Sequence, residues 1–449
     1  MKKINSLIAC ILASVFTACN YLDVEPIGQV IPQKTSEYRA LLTTAYYTFP
    51  KHKKLLTLRA DEVFPALYTP TYSSNIDLAL LNDFGADPAS TSYPWQSMYK
   101  VIFYANSVDE EVMNATLDTH EEGESPEQLR GEALLLRAYV HFELLNLYAK
   151  PYQATTAAMD RGVPLALTID VNQEYHVATV EEVYQQILAD IQEGTALLKV
   201  EAQPIETRYR FSQKAAKALE ARVRLYRSEW EEASRLAEAL LPFCPLEDMN
   251  SPSFTAPYDY RSEEAILALE LTGGTDITDD TDVLPNLINK YKEGGDFRLS
   301  HYFRSAWGTY RPNKCYDKSM RVTFRSAEIY LIAAEAAAHI NGKLELAKYR
   351  LKQLLEKRLT PNYYAEKAAE IDDMTQAELI AEIADERFRE LALEGHRWYD
   401  LRRTNRPRIV KEYYDTDFMP QAVVIEENDS RYVIPFPREA AEGNPNLNH

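Results

Sequence analysis

Residues 385–403 read "DERFRELALEGHRWYDLRR". The stretch is too charged for a plain core helix and too aromatic for a plain surface helix. On a helix, Phe388, Leu391, Ala392, Gly395, Trp398 and Tyr399 share one side. Arg387 with Glu390, Glu394 with Arg397, and Asp400 with Arg403 each stand three apart, the spacing of neighbours on a helix surface. A catalytic acid needs a raised pKa, from desolvation or a like charge. An arginine beside each carboxylate acts in the opposite sense. The pattern therefore favours ion-paired packing over a catalytic Glu390/Glu394 pair. Gly395 leaves room for a neighbouring backbone. The helix starts at the capping box "TQAE" (375–378) and is expected to run to about Arg403, roughly 40 Å of helix.

The pattern upstream is also helical. Residues 92–117 place Trp95, Met98, Ile102, Ala105, Asp109 and Val112 on one face. Residues 126–149 start at an N-cap, Ser125, with Pro126 in the first turn and Gln128 placed to close a capping box. "TVEE" (179–182) starts another helix, to about Lys199. Two helix pairs with short turns follow, 212–227 with 229–241 and 323–340 with 343–358. Such pairs point to a mostly α, tetratricopeptide-like helical-repeat scaffold. An α/α toroid, as used by polysaccharide hydrolases and lyases, is the competing architecture.

Scarce glycine (14 of 449 residues) suits helices, and tyrosine is frequent at 30 copies. The net charge of −19 and the lack of a basic face argue against nucleic acid. The N-terminus, "MKKINSLIACILASVFTAC", has two lysines, an apolar run and small residues before Cys19. It reads as a signal peptide over 1–18, with "FTAC" as a lipobox and Cys19 as the lipidation site. A soluble secreted form or another cleavage point is the alternative. Residues 19–38 read as a lipidated tether with proline breaks, leaving 39–449 as one helical domain. Cys244 and Cys315 either pair or remain separate thiols.

Irregular insertions at about 59–94 and 243–322 interrupt the helices, and such segments are often functional. Their aromatic residues suit stacking on sugar C–H faces. The candidate ligand-binding residues are Tyr68, Tyr72, Tyr291, Tyr302, Trp307 and Tyr310, with "WGTY" (307–310) the leading one. Phe64, Phe84, Tyr93, Phe297, Phe303 and Tyr316 belong to the same set. Asn75, Asp77, Arg298, Arg304 and Asn313 are placed to orient hydroxyls, and Arg298, Arg304 and Arg311 to form a local basic patch. The loop "GGTDITDDTD" (273–282) offers hard oxygen ligands but lacks EF-hand spacing, so a solvated turn is the simpler reading. The histidines show no zinc spacing, and no nucleotide or hydrolase motif occurs. No cofactor, metal or catalytic residue is expected.

The opening stretch resembles the C-terminal signature of the SusD/RagB family. Other segments resemble that family in order: "YLDVEP", "LRGEALLLRAYVHFELLNLYAKPY" (129–152), "GVPLALTID", "TVEEVYQQILADIQEGTALL", "FSQKAAKALEARVRLYRSEWEEASRLAEAL", "FRSAEIYLIAAEAAAHINGK" and "RYVIPFPREAAEGNPNLNH". The resemblance implies a tetratricopeptide-like scaffold with an irregular binding surface, and a lipoprotein on the outside of the outer membrane. It also implies a SusC-like TonB-dependent transporter as partner, an oligosaccharide ligand (a peptide in RagB-like branches), and no enzymatic activity. The chain is short for the family across 243–322, which leaves the layout of the ligand site open. A toroidal hydrolase or lyase and a pure assembly lipoprotein are the competing functions.

Overall fold

The helix starts follow the capping signals. The computed structural model describes residues 32–83, 93–119, 121–170, 175–306, 308–314 and 320–448. Helices of seven or more residues are numbered α1 (Thr35–Thr48), α2 (Lys53–Arg59), α3 (Tyr72–Leu80), α4 (Gln96–Glu111), α5 (Pro126–Tyr148), α6 (Val180–Leu197), α7 (Gln213–Tyr226), α8 (Trp230–Leu240), α9 (Ser326–His339), α10 (Leu344–Glu356), α11 (Pro361–Asp373), α12 (Gln376–Glu390) and α13 (Arg397–Arg403). Thr179 with Glu182 and Thr375 with Glu378 form reciprocal capping boxes on α6 and α12. Ser125 caps α5, but the Gln128 side chain does not close the box. It is buried, and its Oε1 accepts from the Lys199 and Val200 amides at 2.7 and 3.1 Å. α1 begins at Thr35, so residues 35–38, expected in the tether, form a helical turn.

Helices pack in succession: α1 on α4, α4 on α5, α5 on α6, and so on through α7, α8 and α9 to α10, with α12 also against α9. This is the stacked, tetratricopeptide-like arrangement. α5 is buried along nearly its whole length. It crosses α6 closely because Gly131 and Gly194 meet there: a Cβ at Gly131 would lie 2.8 Å from the Gly194 carbonyl oxygen.

Short strands occupy the irregular segments: β1 (Val63–Pro65), β2 (Arg161–Pro164), β3 (Val177–Thr179), β4 (Ala265–Leu267), β5 (Thr281–Val283), β6 (Phe303–Ala306), β7 (Thr309–Pro312), β8 (Phe324–Arg325), β9 (Ile409–Tyr414) and β10 (Pro420–Ile425). They pair antiparallel as β1–β5, β2–β3, β4–β8, β6–β7 and β9–β10. The two insertions are thus partly regular, and β1–β5 joins one to the other.

The stretch 385–403 is not one helix. α12 ends at Glu390, the chain turns through Leu393 (φ 65°) and Gly395 (φ 74°), and α13 starts at Arg397. Gly395 does admit a neighbouring backbone, since a Cβ there would sit 2.8 Å from the Lys53 carbonyl oxygen. Of the three expected local pairs, only Asp400–Arg403 forms, at 2.8 Å. Arg387 turns to Asp400 (3.0 Å), and Arg397 reaches Asp61 (2.7 Å). The break frees Glu390 and Glu394 to meet partners far along the chain.

Those partners form a buried charge network. Arg298 Nη1 donates to Glu386 Oε1 (2.5 Å) and Glu390 Oε2 (2.9 Å), while its Nε and Nη2 hold Asp296. Arg325 donates to Glu390 Oε1 (2.6 Å) and to both oxygens of Glu394. Arg358 joins Glu390 Oε2 (3.0 Å) to Glu264 Oε1 (2.5 Å). Lys314 Nζ donates to Glu394 Oε1 (2.5 Å) and to the Ala392 carbonyl (2.9 Å). All these side chains are almost fully buried. Burial alone would raise the Glu390 carboxyl, but Arg358, Arg325 and Arg298 hold it well below its usual range. Arg325 and Lys314 likewise overcome burial at Glu394. At Glu264 burial wins, and its carboxyl is raised.

Removing one member of such a network strands the rest. Glu390→Gln is expected to lower stability by about 3–5 kcal/mol in chemical unfolding, because three guanidiniums lose a shared anion; a loss below ~1 kcal/mol would deny the network this role. The pH dependence has a definite sign. Glu390 and Glu394 titrate lower in the folded chain than their ordinary 4.5. Their contribution is therefore complete above that value and disappears as pH falls below it. The melting temperature should drop steeply on acidification below about pH 4.5, and less steeply in a folded Glu394→Gln variant.

Candidate ligand-binding face

β1 and β5 bring the two irregular regions into one surface. Phe64 lies opposite Asp282 in the ladder, the Ala66 amide donates to the Asp280 carbonyl (2.8 Å), and Thr71 Oγ1 donates to Asp280 Oδ2 (2.8 Å). Just past β1, Tyr68 adopts positive φ (59°) and stands 73% exposed. A bulky residue held in this left-handed region marks a constrained position, often a functional one. Its ring lies 5.9 Å from the ring of Phe418, which is 63% exposed, and its hydroxyl donates to the Thr416 carbonyl at 3.2 Å. Tyr72, half-buried at the start of α3, has its phenol pushed up by burial and then by Tyr413 and Asp415.

The partner surface is the β9–β10 hairpin, which the sequence reading missed. Its tip exposes Tyr414, Phe418 and Met419, and Tyr413 stacks on the buried Phe64 at 4.5 Å. The signal was present in the alternation of "IVKEYYDTDFMPQAVVI" (409–425), a strand pattern broken by a polar turn. The hairpin is fixed by Lys411. This buried side chain donates to the carbonyls of Leu58 (3.2 Å), Arg59 (2.6 Å) and Ala79 (2.9 Å), joining β9 to α2 and α3.

The second insertion contributes the β6–β7 hairpin, with Gly308 (φ 83°) directly before β7. Thr309 Oγ1 donates to Asp282 Oδ1 (3.1 Å), which ties this hairpin to β5. Tyr310 is half-buried and lines a cleft of about 540 Å³ with Phe297, Phe303, Arg304, Asn313 and Glu293. Five of the twelve residues lining it, Phe297, Phe303, Arg304, Tyr310 and Asn313, are ones singled out in the sequence. A larger cavity, about 740 Å³, lies beside Trp95 and Tyr99. Trp95 there packs on Tyr99, Tyr148 and Phe436, in keeping with its place on the α4 stripe.

Tyr68, Tyr72 and Tyr310 therefore sit on connected surface elements. Tyr291 and Tyr302 do not belong with them. Tyr291 is 8% exposed and donates its hydroxyl to the Arg389 carbonyl at 2.7 Å. Tyr302 is fully buried with its ring 4.0 Å from Lys314 Nζ. Both serve the charge network, because the insertion packs its larger rings inward onto α12. Phe64 and Tyr93 are buried as well. Trp307, Phe84, Tyr316, Cys19 and Cys315 lie outside the described residues, and Cys244 is a buried free thiol. The expected basic patch is neutralised: Arg298 by Asp296 and two glutamates, Arg304 by Asp279 (2.8 Å), and Arg311 by Asp282 (3.4 Å). In the acidic loop, Asp276 also pairs with Lys54.

A helical-repeat scaffold that gathers exposed and half-buried rings from three irregular segments has the form of a binding protein. The family described as "Starch-binding associating with outer membrane" matches residues 20–225, and the SusD family matches 264–449. The chain belongs to the SusD/RagB family. SusD-like protein P38 of Formosa agariphila is 23% identical over 491 aligned residues, spanning 90% of this chain and 93% of that protein. A SusD superfamily protein from Bacteroides fragilis has a TM-score of 0.76 at 22% identity, covering 94% of this chain and all of its own. A laminarin-binding SusD-like protein has a TM-score of 0.61 at 20% identity, covering 83% of this chain and 92% of its own. The fold is that of the SusD superfamily, which replaces the toroid as the architecture.

Lys411→Met should release the hairpin while sparing the scaffold. Three buried carbonyls would lose their donor, at a cost of about 1–3 kcal/mol. Hydrogen exchange should accelerate over 409–425 and not in α5 or α6. Uniform acceleration throughout the chain would contradict a local role.

Proposed function

We propose that the chain is a cell-surface lipoprotein that captures a nutrient oligosaccharide and passes it to a SusC-like TonB-dependent transporter. The lipid on Cys19 anchors it to the outer membrane, and the ligand leaves chemically unchanged. The observation that carries the reading is the exposed Tyr68–Phe418 ring pair, held on a face built by β1, β5 and the anchored β9–β10 hairpin. Rings fixed in this way offer sugar C–H faces a platform with little ordering cost. Tyr72 and Tyr310 extend the platform, and Trp307, next to Gly308 in the sequence, belongs to the proposed contact set. Family membership and the laminarin-binding neighbour support a glycan over the RagB-like alternative, a peptide. The family description supports an outer-membrane location.

Calorimetric titration of the chain lacking residues 1–19 against neutral oligosaccharides and peptides, with a product assay on each mixture, tests the proposal. Glycan binding without product is the expected result. Tyr68→Ala and Phe418→Ala should each weaken it by about tenfold, the loss of one stacking contact. Product release would overturn the binding-only role, and peptide binding without glycan binding would replace the ligand class. Cys19→Ser should move the protein from the membrane fraction to the soluble one.

A further inference from the structure

Most arginines among the described residues pair with carboxylates, including the three expected to form a basic patch. Two that do not, Arg208 and Arg321, line one cavity of about 430 Å³ with Tyr209, Tyr260, Ile205 and Glu206. The volume is within the range of small-ligand sites, ~300–1,000 Å³. The cavity shares no residue with the Tyr68 face.

Arg208 is half-buried, and burial lowers its pKa from the ordinary value. Its Nη1 donates to the Tyr260 and Ser262 carbonyls at 2.6 and 2.9 Å, which fixes the guanidinium and leaves Nε and Nη2 without acceptors among the described residues. Its own carbonyl accepts from the Ala268 amide at 3.0 Å. Arg321 bridges to Leu271 through its backbone, at the other end of the same chain segment, and its exposed guanidinium has no partner among the described residues. Glu206 also lines the cavity, and its charge acts on Arg208, raising the guanidinium's pKa against the larger lowering by burial. Tyr209 is braced by Tyr46 and Tyr47, with ring centroids 5.5 and 6.1 Å away, and Tyr47 is largely exposed.

A fixed arginine with free donors, a second arginine and two tyrosine rings form an acceptor for an oxyanion carried on a ring. We propose that this cavity binds the carboxylate or sulfate of an acidic sugar unit, with Arg208 and Arg321 taking the anion and Tyr209 and Tyr260 flanking the sugar. Planar guanidinium donors match both oxyanions. On a chain of net charge −19, such a site gives acidic glycans a local foothold that the surrounding field denies them.

The test is calorimetric titration of the chain lacking residues 1–19, at low salt, with trigalacturonate, a carrageenan-derived sulfated disaccharide and neutral maltotriose. At least one acidic probe should bind with an affinity that falls as salt is raised. Arg321→Ala should weaken that binding by about tenfold, the loss of one charge-assisted contact. This variant removes an exposed side chain without partners among the described residues, so the described fold is spared, and Arg208→Lys should act in the same direction. Tyr68→Ala should leave acidic-sugar binding unchanged, which separates this site from the ring platform whether or not that platform binds glycan. Binding of trigalacturonate alone assigns a carboxylate, and of the sulfated disaccharide alone a sulfate. The proposal is overturned if neither acidic probe binds, if Arg321→Ala has no effect, or if only a peptide with a free C-terminal carboxylate binds through Arg321.

Discussion

Glu390 meets Arg298, Arg325 and Arg358 in the core, and the fold depends on that junction. The three arginines come from a six-residue helix (Phe297–Tyr302), the two-residue strand β8 and the loop after α10. Each piece buries an apolar side chain, Tyr302, Phe324 or Leu359, but is too short to set its own geometry by packing alone. A buried ion network is poor evidence for high stability, since desolvation offsets much of the Coulomb gain. What it does supply is specificity. A guanidinium fork accepts few geometries, so each piece has one place to go. The irregular region 243–322 packs Ile266, Leu267, Leu287, Tyr302 and Phe303 into the core, and the charge network adds the geometry that apolar contact alone leaves loose.

The same region then positions the face. β5 belongs to it and pairs with β1, β1 leads into Tyr68, and the β6–β7 hairpin leans on β5 through Asp282. Lys411 closes the arrangement from the C-terminal side. The exposed rings are thus on short, otherwise weak elements, each fixed by one or two polar contacts to something rigid. This is how loop residues reach the precision that ligand contact needs. The unpaired arginines at the other cavity follow the same logic, since backbone contacts fix Arg208 and its free donors remain outside.

Helices with caps and long apolar stripes were legible in the sequence because those signals are local. α5, α6 and the two helix pairs appear where the spacing places them. The local reading failed at 391–396. The i,i+3 charge pairs there are equally good as a helix pattern, and only long-range partners decide against it. Leu393 with positive φ gives no warning in the sequence. The site was half legible for a related reason. Tyrosine in an irregular segment marks a region well but does not say which way the ring turns: Tyr68 faces out, and Tyr302 faces in, packed by Tyr258, Phe303 and Lys314. The β9–β10 hairpin was readable from its alternation, yet it lies between a strong helix and a family-like ending that drew the reading past it.

The junction at Glu390 also sets an order of events. Synthesis runs from the N-terminus, so Arg298, Arg325 and Arg358 leave the ribosome well before residues 386–394. Until those residues arrive, Arg298 has only Asp296, and Arg325 and Arg358 have only Glu264 to share, so the insertion lacks the anions that join it to the last long helix. The N-terminal helices can stack as they emerge, whereas the region that builds the binding face waits for the last long helix. A chain cut short before Glu390 would keep much of its scaffold and lack a formed face, so the length of the chain is checked by its own chemistry before it can hold a ligand.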